Sequence, residues 1–368
     1  MRIAQLAPLW ESVPPRGYGG TERIVSYLTE ELVRLGHDVT LFASGDSATT
    51  ARLMAMCDKA LRAAPDVLCR DAPFFMMLER AFGACANQFD IIHSHLDLMG
   101  LPLSRRCHTP VLTTLHGRLD PPELVPVFRE FTELPLVAIS QAQRRPLPWA
   151  NWQSTIHHGL PPDLYSFHPE PGKYLAFLGG ISPEKGPDLA IEIAKRAGMP
   201  IRIAAKVDPV EQNYFTARIK PLLDHPLVEY LGEITEKEKN DFLGHASALV
   251  CPYDGPEPFG LVFIEALACG TPVLAYRRGS VPEILDHEQT GFICETVEKM
   301  VDAVTRISTI DRGRCREVFE ERFTVERMTQ AYLSLYERLS KTTEQPAVEQ
   351  DLLQSAFAVG QTRQNFAA

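Results

Sequence analysis

The feature that most constrains the fold is an alternation of short apolar runs with segments whose apolar residues recur at helical spacing. The first unit contains a predicted buried strand at residues 2–7, a Gly-rich loop at 14–22 and a helix that ends at Gly36. A second predicted strand follows at residues 38–43, and residues 51–85 are predicted to be helical with a charged solvent face. A strand, a helix and a further strand form a βαβ unit, so the chain is predicted to fold as an α/β protein.

The Gly-rich loop places Gly17, Gly19 and Gly20 before the first helix, whose predicted N-cap is Thr21. Its G-x-G-G spacing differs from the G-x-G-x-x-G fingerprint of dinucleotide-binding proteins. Glycines allow a phosphate or a sugar to approach the backbone closely, and a helix N-terminus favours negative charge. We therefore interpret Gly19 and Gly20 as ligand-binding residues. For Gly17, a tight turn alone is an equal explanation.

The length of 368 residues exceeds that of a comfortable single core and predicts two domains. Both halves repeat the β/α alternation, and the segment between them, at 159–172, has the Pro- and Gly-rich composition of a linker. The predicted first domain comprises residues 1–165, and the second comprises residues 166–325. A predicted helix at 326–341 follows, and the polar, Gln-rich tail at 342–368 is predicted to be loosely ordered.

The composition narrows the class of function. A net charge of −10 argues against nucleic acid or an anionic membrane surface as the main partner. The eight cysteines include no C-x-x-C pair, and several lie in apolar runs, so we expect reduced core residues. No stretch approaches the roughly 20 apolar residues of a membrane span, and the N-terminus lacks a signal-peptide pattern, so we expect a soluble cytoplasmic protein. The spacing of the acidic, His and Cys residues indicates no metal site.

Two predicted buried strands end in histidines, at residues 89–95 and 111–117. Functional residues of open α/β sheets gather at the carboxyl ends of strands, so His116 is a candidate binding residue. The alternative for His116 is a capping histidine of the core. His95 is a weaker candidate, and His93 is expected to be structural.

Two carboxylates, Glu257 and Glu265, flank a turn and an apolar run. Pro and Gly disfavour helix around Glu257, so that residue is predicted to lie on a loop. A helix is predicted from Leu261, with Gly270 at its end. Glu265 would lie early in this helix, near N–H groups that can bind an anion. Eight helical steps span roughly 12 Å, a scale that suits a ligand with hydroxyls at both ends and phosphates between them.

This pair of carboxylates, seven residues apart, resembles the E-x7-E element of retaining glycosyltransferase family 4, and residues 266–283 resemble the same family. The resemblance implies the GT-B fold, in which two Rossmann-like domains face each other across a cleft, and a terminal helix that returns to the first domain. It implies that Glu257 contacts the donor sugar and that Glu265 binds the ribose. The backbone that serves the sugar and phosphates would be that of Phe259, Gly260 and Leu261.

Three further elements resemble that family. Residues 19–22 resemble its Gly-Gly-x-Glu loop, and His116 with Gly117 resembles the histidine near the donor sugar. Residues 179–186 resemble the element G-R-x-x-x-x-K-G, whose Arg and Lys bind the donor phosphates, and Lys185 occupies the lysine position. The loop around Glu233, after a predicted strand, corresponds to one that borders the nucleobase.

Gly180 stands where this family has the arginine, so a bidentate phosphate contact is missing. Two interpretations are open. Either another cation substitutes, with Lys206 as the candidate, or donor binding is weak or altered. For Lys206, a solvated lysine at a strand end is an equal interpretation.

The resemblance implies transfer of a sugar from a UDP- or GDP-sugar to an unidentified acceptor hydroxyl, with retention of anomeric configuration. The leaving phosphate would act as the base, while the protein positions both substrates and stabilises that phosphate. Glu257, His116 and Lys185 are the implied catalytic residues, and neither a cofactor nor a metal ion is expected. A nucleotide-sugar epimerase of the same fold is an alternative. An inactive nucleotide-sugar binding protein is another, and Gly180 is its support.

Overall fold

The first half of the chain forms a parallel sheet in the computed structural model, which describes residues 1–342. Within these residues the sheet has seven strands in the order β3-β2-β1-β4-β5-β6-β7. The strands are β1 (Arg2–Leu6), β2 (Asp38–Ala43), β3 (Arg52–Ala55), β4 (Ile91–Ser94), β5 (Val111–Thr114), β6 (Leu136–Ala138) and β7 (Trp152–Thr155). The helices are α1 (Gly20–Arg34), α2 (Ala72–Glu79), α3 (Leu101–Ser104), α4 (Leu124–Glu130) and α5 (Gln141–Arg144).

The second half of the described chain forms a six-stranded parallel sheet in the order β10-β9-β8-β11-β12-β13. Its strands are β8 (Leu175–Gly180), β9 (Ile201–Lys206), β10 (Val228–Gly232), β11 (Ala248–Cys251), β12 (Val273–Tyr276) and β13 (Gly291–Cys294). The helices are α6 (Pro187–Ala197), α7 (Gln212–Tyr214), α8 (Glu236–Gly244), α9 (Leu261–Ala268), α10 (Val281–Ile284), α11 (Val297–Arg306), α12 (Arg312–Arg322) and α13 (Val325–Thr342). Short 3₁₀ segments lie at Leu61–Ala63, Ala86–Gln88, Pro183–Lys185, Pro209–Glu211, Lys220–Leu222 and Ile307–Thr309, and π-helical turns lie at Arg80–Ala84 and Phe215–Ile219.

The central strands are buried along nearly their whole length because parallel sheets are covered by helices on both faces. Strand order reverses beside β1 in the first sheet, where β2 lies on one side and β4 on the other, and beside β8 in the second. Such switch points open a crevice at the carboxyl ends of the strands. His95 and His116 follow β4 and β5 at this edge, and Gly180 is paired with Lys206 at the ends of β8 and β9.

Helix α13 ends the described part of the chain and packs against α1 and β4 of the first half. Tyr336 of this helix accepts a hydrogen bond from Gln5 of β1, at 3.1 Å, and contacts His93 of β4. No helix among residues 1–342 is long and apolar enough to cross a membrane. The tail that the sequence predicts to be loosely ordered lies, apart from its first residue, outside the described residues.

The structure differs from the predictions in two segments. Residues 51–85 are not one helical region: β3 pairs with the edge of β2, with Leu53 beside Leu41, and α helix is confined to α2. This long-range pairing outweighs helix propensity, which is a weak determinant of structure. The first helix also begins earlier than predicted, because the Arg23 N–H already donates to the Gly19 carbonyl, so Gly19 rather than Thr21 is the N-cap.

Candidate active site

A cleft of about 580 Å³ lies between the carboxyl edges of the two sheets and is lined by residues of both. Every residue that the sequence predicted for the site is part of its lining. From the first half these are Gly19, Gly20 and His116, and from the second half Gly180, Lys185, Lys206, Glu233, Glu257, Phe259, Gly260, Leu261 and Glu265. Among residues 1–342, no group of three or more His, Cys, Asp or Glu side chains is placed to hold a metal ion.

Lys185 and Glu257 form an ion pair on the second-sheet side of the cleft. The Lys185 ammonium also lies 4.3 Å from the centre of the Tyr253 ring, a cation–π contact. Burial alone would lower the pKa of Lys185, but the adjacent Glu257 carboxylate outweighs it and the pKa is raised. The lysine is therefore a cation at neutral pH, held at the start of α6 by a turn that ends in left-handed Gly186.

The Gly-rich loop of the first half contacts Glu233, which lies on the second-sheet side of the cleft. The backbone N–H of Tyr18 donates to Glu233 Oε1 at 2.8 Å, and a Cβ added at Gly17 would lie 2.3 Å from the same oxygen. On the other side of the loop, a Cβ at Gly20 would lie 3.5 Å from Leu261. Gly17 therefore allows a close approach between the two halves, in addition to forming a turn.

The space beside Gly180 is open. No heavy atom of the described residues lies within 4 Å of a Cβ built there, and its backbone is not in the left-handed region. Lys206, although paired with Gly180 in the sheet, instead contacts Asp208, with Nζ 3.4 Å from Oδ1. Its Nζ also lies 5.8 Å from the ring centre of Tyr18. The Lys206 side chain thus leaves room for a longer residue at position 180.

Glu265 belongs to a buried cluster of charges that the sequence did not reveal. Its side chain is almost fully buried, and Oε1 accepts a hydrogen bond from Lys239 Nζ at 2.9 Å. Lys239 also lies 3.4 Å from a carboxylate oxygen of Glu236, which is paired with Arg23 of α1. Glu265 is the fifth residue of α9, so Lys239 rather than the free N–H groups of the helix start balances its charge. The expectation that Glu265 lies beside the free N–H groups of the helix start is therefore wrong.

One carboxylate oxygen of Glu265 has no hydrogen-bond donor among the described residues. Glu265 Oε2 is buried and accepts no hydrogen bond from any group in residues 1–342. A buried acceptor without a donor costs free energy, which a ligand hydroxyl in the cleft would recover. Sequence reasoning missed three members of this cluster, Arg23, Glu236 and Lys239. The only local signal is the three-residue spacing between Glu236 and Lys239 along α8, which does not indicate a contact with Glu265.

Three histidine rings lie in contact at the first-sheet side of the cleft, where His158 stacks on His116 and His95 is tilted against it. His116 Nε2 lies 2.8 Å from His95 Nδ1, and the His158 ring is parallel to that of His116 at 5.3 Å between centres. Burial lowers the pKa of His116 to about 3, and the pKa values of His95 and His158 are also well below normal, chiefly by burial. The rings are therefore neutral. The backbone N–H of His116 is held by Asp97 Oδ1 at 3.0 Å.

His93 does not line the cleft and is hydrogen-bonded in the core, as expected of a structural residue. Another part of the lining was not anticipated at all. It is apolar or basic, belongs to the first half and comprises Pro8, Trp10, Arg62, Phe74, Leu96 and Met99. These residues come from loops, from the 3₁₀ segment at Leu61–Ala63 and from α2, where no sequence motif distinguishes them.

Two family profiles together match residues 18–322. The profile of Glycosyltransferase Family 4 matches residues 18–172, and that of Glycosyl transferases group 1 matches residues 166–322. The chain belongs to glycosyltransferase family 4. As a member of this retaining family it is a glycosyltransferase that uses a nucleotide-sugar donor, and the resemblance inferred from the motifs is confirmed.

Relatives of known name match this family 4 protein over most of its length. The D-inositol 3-phosphate glycosyltransferase of Saccharomonospora viridis is 26% identical over 395 residues, covering 86% of this chain and 89% of that protein. The sucrose-phosphate synthase of Thermosynechococcus elongatus has the same fold, with a TM-score of 0.76 at 19% identity and coverage of 93% and 99%. Anabaena HepE, solved in complex with UDP-glucose, has a TM-score of 0.70 at 17% identity and coverage of 92% and 100%. The predicted GT-B fold is confirmed.

Proposed function

We propose that this protein transfers a hexose from a UDP- or GDP-sugar to an acceptor hydroxyl, with retention of configuration and without a metal ion. The observation that supports this most directly is the juxtaposition of the Lys185–Glu257 pair with the Gly19–Gly20 loop and His116 in one cleft. A cationic group, free backbone N–H groups and neutral polar rings are the partners that a diphosphate and a sugar need. Because HepE was solved with UDP-glucose, a UDP-sugar is the first donor to test.

The assignment of roles follows the position of each group. Lys185 would bind the diphosphate and stabilise the negative charge that grows on it as the bond to the sugar breaks. Glu257 would contact the sugar hydroxyls, and Glu265 would accept a hydrogen bond from the ribose through Oε2. The leaving phosphate would then remove the proton from the acceptor hydroxyl that attacks the same face of the sugar.

The backbone supplies the remaining contacts in this proposal. Gly260 lies in a left-handed conformation immediately before α9, so the N–H groups that follow Phe259 point out of the helix start. These groups and the Gly19–Gly20 loop would hold the phosphates and the sugar. The loop around Glu233 would border the base, where its contact with Tyr18 also links the two halves.

The proposal is tested by measuring release of UDP and GDP from a panel of nucleotide sugars, with and without candidate acceptors. Release that depends on an acceptor, with a product of unchanged anomeric configuration by NMR, is the expected result. Formation of an isomeric nucleotide sugar without acceptor would instead indicate an epimerase. Tight binding of donors with no turnover for any acceptor would indicate a binding protein. The glycine at position 180, where the family has an arginine, is the observation that supports this alternative.

A further inference from the structure

A chain of buried hydrogen bonds connects helix α13 to the cleft. It begins at Tyr336, whose hydroxyl accepts from Gln5 Nε2 at 3.1 Å. Gln5 Oε1 lies 3.0 Å from His95 Nε2, and His95 Nδ1 lies 2.8 Å from His116 Nε2. The remaining ring nitrogen, His116 Nδ1, is buried and has no hydrogen-bond partner in the described part of the chain. The chain therefore ends at an unpaired, buried nitrogen of His116, a residue that lines the cleft.

The chain has a direction, which follows from the Gln5 amide. A neutral imidazole carries one N–H, so one nitrogen donates and the other accepts. Because Gln5 Oε1 can only accept, His95 Nε2 carries the proton and His95 Nδ1 is bare. His116 Nε2 must then donate to it, and His116 Nδ1 is left with a free lone pair. The low pKa values of both rings exclude a second proton at neutral pH.

The Gln5 amide also has a hydrogen-bond partner at its other end. Gln5 is fully buried in β1, where an amide needs partners for both its oxygen and its nitrogen. Its Nε2 donates to Tyr336, and the Tyr336 hydroxyl contacts His93 Nδ1 at 2.6 Å. Since the Tyr336 oxygen receives the amide hydrogen, its own hydrogen is free to donate to His93. Such connected networks reinforce one orientation of all their members.

We propose that Gln5 and His95 are positioning residues that fix the tautomer of His116, so that His116 Nδ1 accepts a hydrogen bond from a hydroxyl of the donor sugar. This inference rests on the proposed function for the identity of the ligand, but the tautomer itself does not depend on it. Neither Gln5 nor Tyr336 contacts the cleft, so their effect reaches the sugar only through His95 and His116. The arrangement selects a sugar that presents a hydroxyl hydrogen at this point.

Imidazole ¹⁵N NMR of the full chain, labelled at histidine, tests the tautomer directly, because bare and protonated ring nitrogens resonate in separate regions. The His116 signals are identified by their loss in His116→Gln. We expect a protonated Nε2 and a bare Nδ1 in the unaltered protein, and a mixture of tautomers in Gln5→Met. A protonated Nδ1 in the unaltered protein, or unchanged signals in Gln5→Met, would overturn the proposal.

Kinetic measurements on the same variants distinguish an effect on the His116 tautomer from a general loss of core packing. Gln5→Met should lower kcat/KM for sugar transfer by roughly two- to tenfold, the effect of one ordinary hydrogen bond, with unchanged affinity for the free nucleotide. Thr329→Val is the matched control, because it removes a buried hydroxyl of α13 that has no hydrogen-bond partner among the described residues. Equal losses in Gln5→Met and this control would contradict the proposal.

Two further outcomes remain decisive. If Gln5→Met does not fold, His95→Phe removes the acceptor beside His116 Nε2 and must release the His116 tautomer in the same way. If no nucleotide sugar supports turnover, the proposed function fails, while the ¹⁵N signals still confirm or refute the tautomer. The two failures are therefore distinguishable.

Discussion

At the scale of single residues, the ion pair of Lys185 and Glu257 joins the two charged groups that we assign to the diphosphate and to the sugar. Each neutralises the other within the cleft, and Tyr253 covers the ammonium from one side. A bound diphosphate would compete with Glu257 for the same cation. The ammonium would then face the leaving group, where its charge has the largest effect on the transition state.

Replacement of this cation gives the first prediction. Lys185→Ala should lower the turnover number by roughly two to three orders of magnitude, as removal of one preorganised donor to developing charge does. The measurement is acceptor-dependent release of the nucleotide. Lys195→Ala, which removes an exposed lysine of α6, is the control and should leave turnover unchanged. Near-normal turnover in Lys185→Ala would refute the phosphate role.

The open space at position 180 gives the second prediction. Gly180→Arg should tighten donor binding by roughly 10- to 100-fold, because a charged hydrogen bond contributes about 1.5–3 kcal/mol and the site has room for the side chain. Titration calorimetry with UDP and GDP measures the effect. Gly180→Met, which has similar length and no charge, should not tighten binding. An arginine variant that binds no better than the methionine variant would mean that position 180 does not face the phosphates.

At the scale of elements, helices α8 and α9 form a unit around the carboxylate that we assign to the ribose. Lys239 of α8 holds one oxygen of Glu265 of α9 and leaves the other without a partner in residues 1–342. Burial of a charge requires such a pairing, since an isolated carboxylate would be strongly destabilised in the core. The geometry of α8 therefore determines which oxygen is available to the ligand.

This pairing leads to a prediction for Glu265→Gln. The donor KM should rise by roughly 10- to 100-fold, the value of a charged hydrogen bond, with a smaller fall in kcat, because the ribose is remote from the reacting bond. Initial rates over a range of donor concentrations separate the two constants. Glu317→Gln on the exposed face of α12 should alter neither. An unchanged KM would count against the ribose assignment.

At the scale of the whole molecule, carboxylates of the second half bind backbone groups of the first. Glu283 of α10 accepts hydrogen bonds from the N–H groups of Gln141 and Ala142, both at 2.7 Å, and contacts His157 at 3.2 Å. Glu233 binds Tyr18 in the same manner. These contacts connect the parts that we propose as separate domains, residues 1–165 and 166–325.

The Glu283 contacts predict a dependence of stability on pH. Burial alone would raise the pKa of Glu283, but His157 and the two N–H groups outweigh it and the pKa is lowered from its ordinary value of 4.5. A depressed pKa stabilises the folded state above pH 4.5, and this contribution is lost as the pH falls through the folded pKa. Glu283→Gln should therefore lower the Tm at pH 7, and the difference in Tm should shrink below pH 4.5. A difference that is constant with pH would refute this linkage.

Several features could be predicted from the sequence because their determinants lie within a few residues. The strands around β1 and β2, the helix from Leu261, and its end before left-handed Gly270 follow from local periodicity and from glycine chemistry. The motif residues, Lys185 and Glu257 among them, were predicted to share a site because their motifs resemble those of glycosyltransferase family 4, and His116 because it follows a predicted buried strand. The cleft lining agrees with that expectation, while the roles of these residues await the experiments above.

Tertiary structure alone decided the partners within the site. Lys239 and Glu265 are 26 residues apart, Tyr18 and Glu233 are 215 apart, and Gln5 and Tyr336 are 331 apart. No local pattern specifies such pairs, since they depend on how α8, the Gly-rich loop and α13 dock onto distant elements. For the same reason β3 escaped prediction, because only its pairing with β2 makes that segment a strand. Sequence thus determined which residues reach the edge of each sheet, and packing determined which atoms of those residues remain available to a ligand.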